Sequence, residues 1–224
     1  MNKIYKFFGN DSLFGRIFGT LGNMIVVNFL FILCSIPIIT FGASFTSMYY
    51  ALLRNLKYGD SSLTRDFFSS FRQNFKQSTL SWGIAVIFII VFSADIGMFG
   101  PRGIYPITAI YYLIIVLAVI VAITAMFVFP VIATFQNTLK NLWIQSFFLA
   151  AKNIPSALAV LALNVIPLYL SLTTSSPQVF GLALFIWLIA GFGLTAWINT
   201  FLFYRIFEPY LVGIDVSDVP ESCD

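Results

Sequence analysis

The chain has no histidine, and only 9% of its 224 residues are charged. A soluble globular domain carries about 25% charged residues, so this shortage alone moves the chain out of the soluble class. Without histidine, Ser-His-Asp and Cys-His nucleophilic sites are excluded, and the commonest general base and metal ligand is missing. Cysteine is nearly absent too: Cys34 lies in an apolar run and Cys223 in the tail. Two cysteines in such different segments provide neither a disulfide framework nor a metal cluster. No Gly-x-x-x-x-Gly-Lys-Ser/Thr phosphate loop occurs, which argues against an ATPase. A net charge of only +3 makes no case for nucleic acid. The expectation is a protein with no enzymatic activity and no cofactor.

What the chain does have is apolar bulk. Hydrophobic residues make up 59% of it, with 26 phenylalanines. The expected class is all-α: a polytopic transmembrane bundle forming a single membrane domain over residues 1–224. Residues 1–18 mix Phe7, Phe8, Leu13, Phe14, Ile17 and Phe18 with Lys3, Lys6 and Arg16, which suits a short interfacial segment. The apolar run that follows is longer than the roughly 7–15 residues of a signal-peptide core, so a retained first helix is expected.

Six spans are expected, over 19–36, 38–56, 80–99, 104–129, 154–172 and 179–204. Pro37 and Pro130 would each end a span. The second span is the weakest, because Thr40, Gly42, Ser44, Thr46 and Ser47 interrupt it. If Gly42 turns the chain, the following helix covers only about 22 Å of a ~30 Å hydrocarbon core. That segment would then either cross while packed against protein or be re-entrant. A break over 37–47, buried against other helices, is the specific expectation.

Two stretches read as amphipathic helices. In 63–77, Leu63, Phe67, Phe71 and Phe75 recur every four residues among Arg65, Asp66, Arg72, Gln73 and Lys76, with Asp60 or Ser61 as a cap. In 135–152, Phe135, Leu139, Leu142, Trp143 and Phe147 share a side, and Lys140, Asn141, Gln145 and Lys152 are polar. Residues 209–224 form a short acidic tail with Asp215, Asp218, Glu221 and Asp224.

Positive charges decide the orientation. With six spans and an internal N-terminus, eleven of the 12 basic residues face the cytoplasm and only Arg102 lies outside. With five spans, the best arrangement is eight against four. Both termini and both amphipathic helices are therefore expected at the cytoplasmic face of the membrane. A weak internal echo, in which Pro37 and Pro130 are each followed by a basic stretch and a new span, would suit two three-span halves.

Candidate functional residues fall into two groups. Phe67, Phe71, Arg72, Asn74 and Lys76 would dock a partner protein, or merely anchor the helix among lipid headgroups. Within the membrane, Asn28, Asp95 and Asn164 are the polar candidates. A mid-membrane charge costs about 2.5–3.5 kcal/mol, which makes Asp95 a suspect for a solute or ion role, although it lies near the outer end of its span, where it would pair with Arg102 or snorkel outward. Amides such as Asn23, Asn28, Asn164 and Asn199 either join helices by hydrogen bonds or line a polar cavity.

The run Leu33-Cys34-Ser35-Ile36-Pro37-Ile38-Ile39-Thr40-Phe41-Gly42-Ala43-Ser44 resembles an element of the YesL-type family of bacterial membrane proteins. A second family element is similar to Asp66-Phe67-Phe68-Ser69-Ser70-Phe71-Arg72-Gln73-Asn74-Phe75-Lys76. Phe129-Pro130 and Ala151-Lys152-Asn153-Ile154-Pro155 match later features. The resemblance runs from about Phe14 to Leu172, and the last span and tail match only in character. It implies a multi-span fold in a bacterial cell membrane and no settled activity. Genes of that family commonly sit beside carbohydrate uptake transporters of the ATP-binding-cassette type. The resemblance thus implies an accessory or scaffold role in oligosaccharide uptake, with transporter subunits and the lipid bilayer as partners. The alternative is an independent small-solute transporter or channel.

Overall fold

A computed structural model describes residues 13–59, 62–105 and 107–211, and side-chain burial from residue 19 onward. Among these residues the fold is entirely helical: α1 Leu13–Ser35, a 3-10 turn Ile38–Thr40, α2 Phe41–Tyr58, α3 Leu63–Phe99, α4 Thr108–Thr134, α5 Leu139–Lys152, α6 Ile154–Thr173, α7 Pro177–Ile186, a π turn Trp187–Gly191, and α8 Phe192–Leu211. Most of residues 1–18 and of the acidic tail, the caps Asp60 and Ser61, and Cys223 lie outside the described residues. Residues 13–18 belong to α1 and do not form a separate segment.

Among the residues whose side chains are described, four helical runs are long and apolar enough to cross a membrane: α3, α4, α6 and the Pro177–Leu211 rod made of α7, the π turn and α8. Of the first two expected spans, α1 has 23 residues and extends about 35 Å, whereas the 18 residues of α2 cover about 27 Å. The outer faces of α1, α3, α6 and the rod carry exposed Leu, Ile, Val and Phe, as lipid contact requires.

Proline and glycine act as follows. Pro37 separates α1 from the 3-10 turn. Pro130 does not end α4, which runs four residues further to Thr134, where Thr134 Oγ1 donates back to the Pro130 carbonyl at 2.9 Å. Gly42 does not turn the chain. It sits in the first turn of α2, and a Cβ there would overlap the Ser78 carbonyl oxygen and press on Trp82 Cβ. The break falls earlier, over 36–40, and is exposed, whereas Gly42 to Ser47 is helical and mostly buried.

The close α2–α3 approach is built from small residues. Gly42, Ala43, Ser44 and Ser47 on α2 and Ser78, Ser81 and Ala85 on α3 are all buried. Small side chains let two backbones meet where lipid, as apolar as leucine, provides no hydrophobic drive for association. Thr46 and Ser78 add a buried hydroxyl bond of 2.9 Å between the helices. Around this seam lies an aromatic core of Phe31, Tyr49, Phe67, Phe127, Phe203 and Phe207. Tyr49 meets Phe203 edge-on at 5.4 Å, and Phe203 meets Phe127 at 4.9 Å.

Candidate functional site

The segment 63–77 is not a separate helix lying in the headgroup layer. It is the first part of α3, whose 37 residues extend about 55 Å, far more than a ~30 Å hydrocarbon core needs. Gln77, Ser78 and Thr79 contain no breaker, so the helix continues into the span. The apolar face of this stem is filled largely by α2. Phe67 is fully buried, while Phe71 is half-buried beside it with ring centroids 6.3 Å apart. Arg72 and Lys76 project outward. Asn74 is half-buried, and its Nδ2 donates to Ser70 Oγ at 3.1 Å within the same helix.

A pair of charges fixes the stem to α2. Arg54 Nη1 lies 3.2 Å from Asp66 Oδ1, with the carboxylate buried and the guanidinium half exposed. Asp66 occupies the first turn of α3, where the helix dipole favours a negative charge. Its Oδ2 is buried without a hydrogen-bond partner. Sequence reading placed Asp66 on the polar face of an amphipathic helix and missed its pairing with Arg54. The signal was there: an acidic residue in a helix's first turn, a short way in sequence after a basic residue near the end of the preceding helix.

Inside the bundle, Asn28 is the best-defined polar group. Its side chain is fully buried. Nδ2 donates to the carbonyls of Leu188 at 2.8 Å and Trp187 at 3.3 Å, and Oδ1 accepts from the Gly193 amide at 2.9 Å. All three partners lie in or beside the π turn. A π turn widens the helix and disturbs its ordinary backbone ladder. The carboxamide of α1 thus serves backbone groups of the rod and has little capacity left for a solute. Gly193 permits this, because a Cβ there would overlap the Met24 carbonyl oxygen.

The other candidates are not brought together with Asn28. Asn164 Nδ2 donates to the Val160 carbonyl at 2.7 Å within its own helix. Asp95 is half-buried near the far end of α3 and forms no ion pair among the described residues, so the Asp95–Arg102 pair that the sequence allowed is not made. The turn over 100–103 leaves Arg102 exposed. Asn199 is buried and donates to Tyr49 Oη at 3.4 Å, joining α8 to α2. A recess of about 320 Å³ between α4, α5 and α6 is lined by Ile120, Thr124, Phe147, Ala151, Ile154 and Leu158 among others. It is apolar throughout, since the Thr124 hydroxyl donates to the Ile120 carbonyl at 2.8 Å. Among the described residues no cluster of three or more His, Cys, Asp or Glu side chains could hold a metal ion.

The residues that build this seam carry the chain's likeness to other proteins. Residues 24–96 match the DUF624 family, described as a protein of unknown function. The YesL-type membrane proteins are the DUF624 family, so the resemblance in the sequence fits this match. The DUF624 match covers most of α1, the 3-10 turn, α2 and nearly all of α3, which includes Asn28, Gly42, Arg54, Asp66 and Ser78. It stops short of α4 to α8. Comparison with curated proteins and with solved structures yields no match.

Proposed function

We propose that this chain is a non-enzymatic scaffold of the bacterial cell membrane, an accessory component of oligosaccharide uptake by an ATP-binding-cassette transporter. One observation carries the reading: the amides of the bundle interior bond to the protein's own helices. Asn28 joins α1 to the rod, Asn199 joins α8 to α2, and Asn164 bonds within α6. A solute path needs polar groups free to exchange partners; Asn28 is engaged by three backbone groups, and Asn199 keeps only its Oδ1 unpartnered, buried in the bundle. A scaffold needs only rigid helices and an exposed polar surface, which the stem offers through Arg72, Gln73 and Lys76.

The positive-inside rule places the stem, and both termini, on the cytoplasmic side. That is where transporter subunits and their ATPases would meet it. The family neighbourhood implied by the YesL-type resemblance supports the choice of partner.

The test is co-purification from native membranes with mass spectrometry of what is recovered. Arg72→Glu combined with Lys76→Glu is expected to remove transporter subunits from the eluate while the protein stays in the membrane. Arg72→Lys keeps the charge but loses the planar guanidinium fork, and a specific dock should lose recovery with it. Unchanged recovery in the double charge reversal would overturn the docking role.

A further inference from the structure

We infer that α1 and α2 form a re-entrant hairpin whose isoleucine tip is seated among lipid acyl chains, so that the chain crosses the membrane four times. The inference stands apart from the scaffold reading, because it concerns only where the tip lies.

The first argument is length. The 23 residues of α1, Leu13–Ser35, extend about 35 Å, but α2 offers only about 20 Å before Arg54. The returning helix thus falls short of a ~30 Å hydrocarbon core. The second is register. Gly42, at the start of α2, packs on Ser78 and Trp82 of α3 and on Phe129 of α4. From Trp82, α3 climbs about 26 Å further to Phe99, and α4 begins roughly 31 Å from Phe129. At its other end, α2 pairs Arg54 with Asp66 in the first turn of α3. Thus α2 runs beside the stem and only the first turns of the span. Against the rod the margin is smaller. Asn28 meets Trp187 about 15 Å below Pro177, and α1 climbs about 10 Å more to Ser35. Both registers leave the turn below the far ends of its neighbours.

The third argument is the chemistry of the turn. Ile36, Ile38 and Ile39 are 71%, 75% and 69% exposed, and Phe29 and Leu33 extend the same apolar surface. Three isoleucines in outer water would be costly; in hydrocarbon they are ordinary. Irregular backbone at membrane depth requires its polar groups to be satisfied internally. Here the Thr40 amide donates to the Pro37 carbonyl at 2.9 Å, and the Phe41 amide donates to the Ile38 carbonyl. Thr40 Oγ1 reaches the carbonyls of both Cys34 and Pro37. Pro37 itself has no N–H to satisfy. These bonds satisfy part of the turn internally, although the Ser35 hydroxyl beside it is buried without a partner. Charge sidedness is unaffected, since a hairpin returns to the face it entered.

Site-directed spin labelling of the full-length protein in liposomes tests this. Nitroxides are placed at Ile38, at the lipid-facing Phe185 of α7, and at Ser175 in the loop between α6 and α7. Oxygen concentrates in hydrocarbon and a charged or polar nickel complex in water. Ile38 is expected to behave like Phe185, with oxygen collisions severalfold more frequent than nickel collisions, and Ser175 to show the reverse. In parallel, Ile38→Cys with Cys34→Ser and Cys223→Ser should resist a membrane-impermeant maleimide from either face and react once detergent is added. Nickel-dominated relaxation at Ile38, or maleimide reaction from either face of intact liposomes at the rate of Ser175→Cys, would overturn the inference.

Discussion

Two segments with the same sequence signature end up in different structural situations. Residues 63–77 and 135–152 both alternate aromatics with basic and amide residues, and both precede an apolar span. The first becomes the stem of α3, continuous with the span and covered by α2. The second becomes α5, a separate helix of 14 residues. The difference lies at the junction. Gln77, Ser78 and Thr79 allow the helix to continue, whereas Asn153 leaves helical geometry at φ −123° and ψ 51°, and Pro155 opens α6. A second difference follows from what each segment meets. The stem has a partner helix of small residues; α5 packs Leu142, Ser146, Leu149 and Ala150 inward and leaves Ile144, Phe147 and Phe148 exposed. Amphipathic pattern therefore reports one apolar face, and the neighbouring residues decide what covers it.

The sharpest way to break this comparison is to remove the covered aromatic. Phe67 is fully buried between α2 and α3, so Phe67→Ala leaves a cavity that lipid cannot enter. A loss of about 3–5 kcal/mol is expected, in the range for buried Phe→Ala changes. The measurement is reversible unfolding of purified protein in mixed micelles. A loss below about 1 kcal/mol would mean that the stem is not packed against α2.

The charged latch is the next largest effect and is expected to be asymmetric. Arg54→Ala leaves the buried Asp66 carboxylate unpaired, at a cost of about 1–3 kcal/mol. Asp66→Asn leaves Arg54, 46% exposed, free to be hydrated, and forfeits mainly the helix-dipole contribution of about 0.3–1 kcal/mol. Equal losses in the two variants would show that the pair is solvated and contributes little. Among the described residues the second amphipathic segment has no counterpart. There Lys152 Nζ donates to Tyr210 Oη at 3.1 Å at an exposed position.

Much of this architecture was legible in the sequence. The helical class and the four long apolar runs follow from hydropathy, and an interruption beside Pro37 from proline chemistry, although the break is exposed over 36–40 where a buried one over 37–47 was expected. The remainder was hidden for identifiable reasons. Gly42 reads as a turn because glycine weakens a helix, yet it serves close packing, and only the presence of Ser78 and Trp82 opposite reveals this. Pro130 reads as a stop, yet α4 tolerates it near its end. Asn28 was singled out as polar and intramembrane, but its partners lie about 160 positions away in the chain, beyond any local pattern. The π turn has no sequence signature in Trp187–Gly191 that separates it from an ordinary apolar helix. Asp95 and Arg102 are close in sequence and do not pair, because an exposed turn between them sends the arginine to water.

The smallest expected effect sharpens the comparison most. Phe148 of α5 is 65% exposed, in contrast to the buried Phe67, and both belong to Phe-Phe pairs within basic amphipathic stretches. If α5 lies in the membrane with that face toward acyl chains, truncating the ring exchanges one apolar contact for another and creates no cavity. Folded and unfolded states in a bilayer both keep the side chain in hydrocarbon, so little transfer energy is at stake. Phe148→Ala should therefore change stability by no more than about 0.5 kcal/mol, as exposed substitutions usually do. Phe148→Glu sharpens the point. A carboxylate on that face would be a small perturbation in water but would oppose burial in lipid, shifting α5 toward the headgroups and lowering the yield of inserted protein. If Phe148→Glu inserts and unfolds like the parent chain, the exposed face of α5 lies in water, and its aromatics would then need a protein partner to cover them.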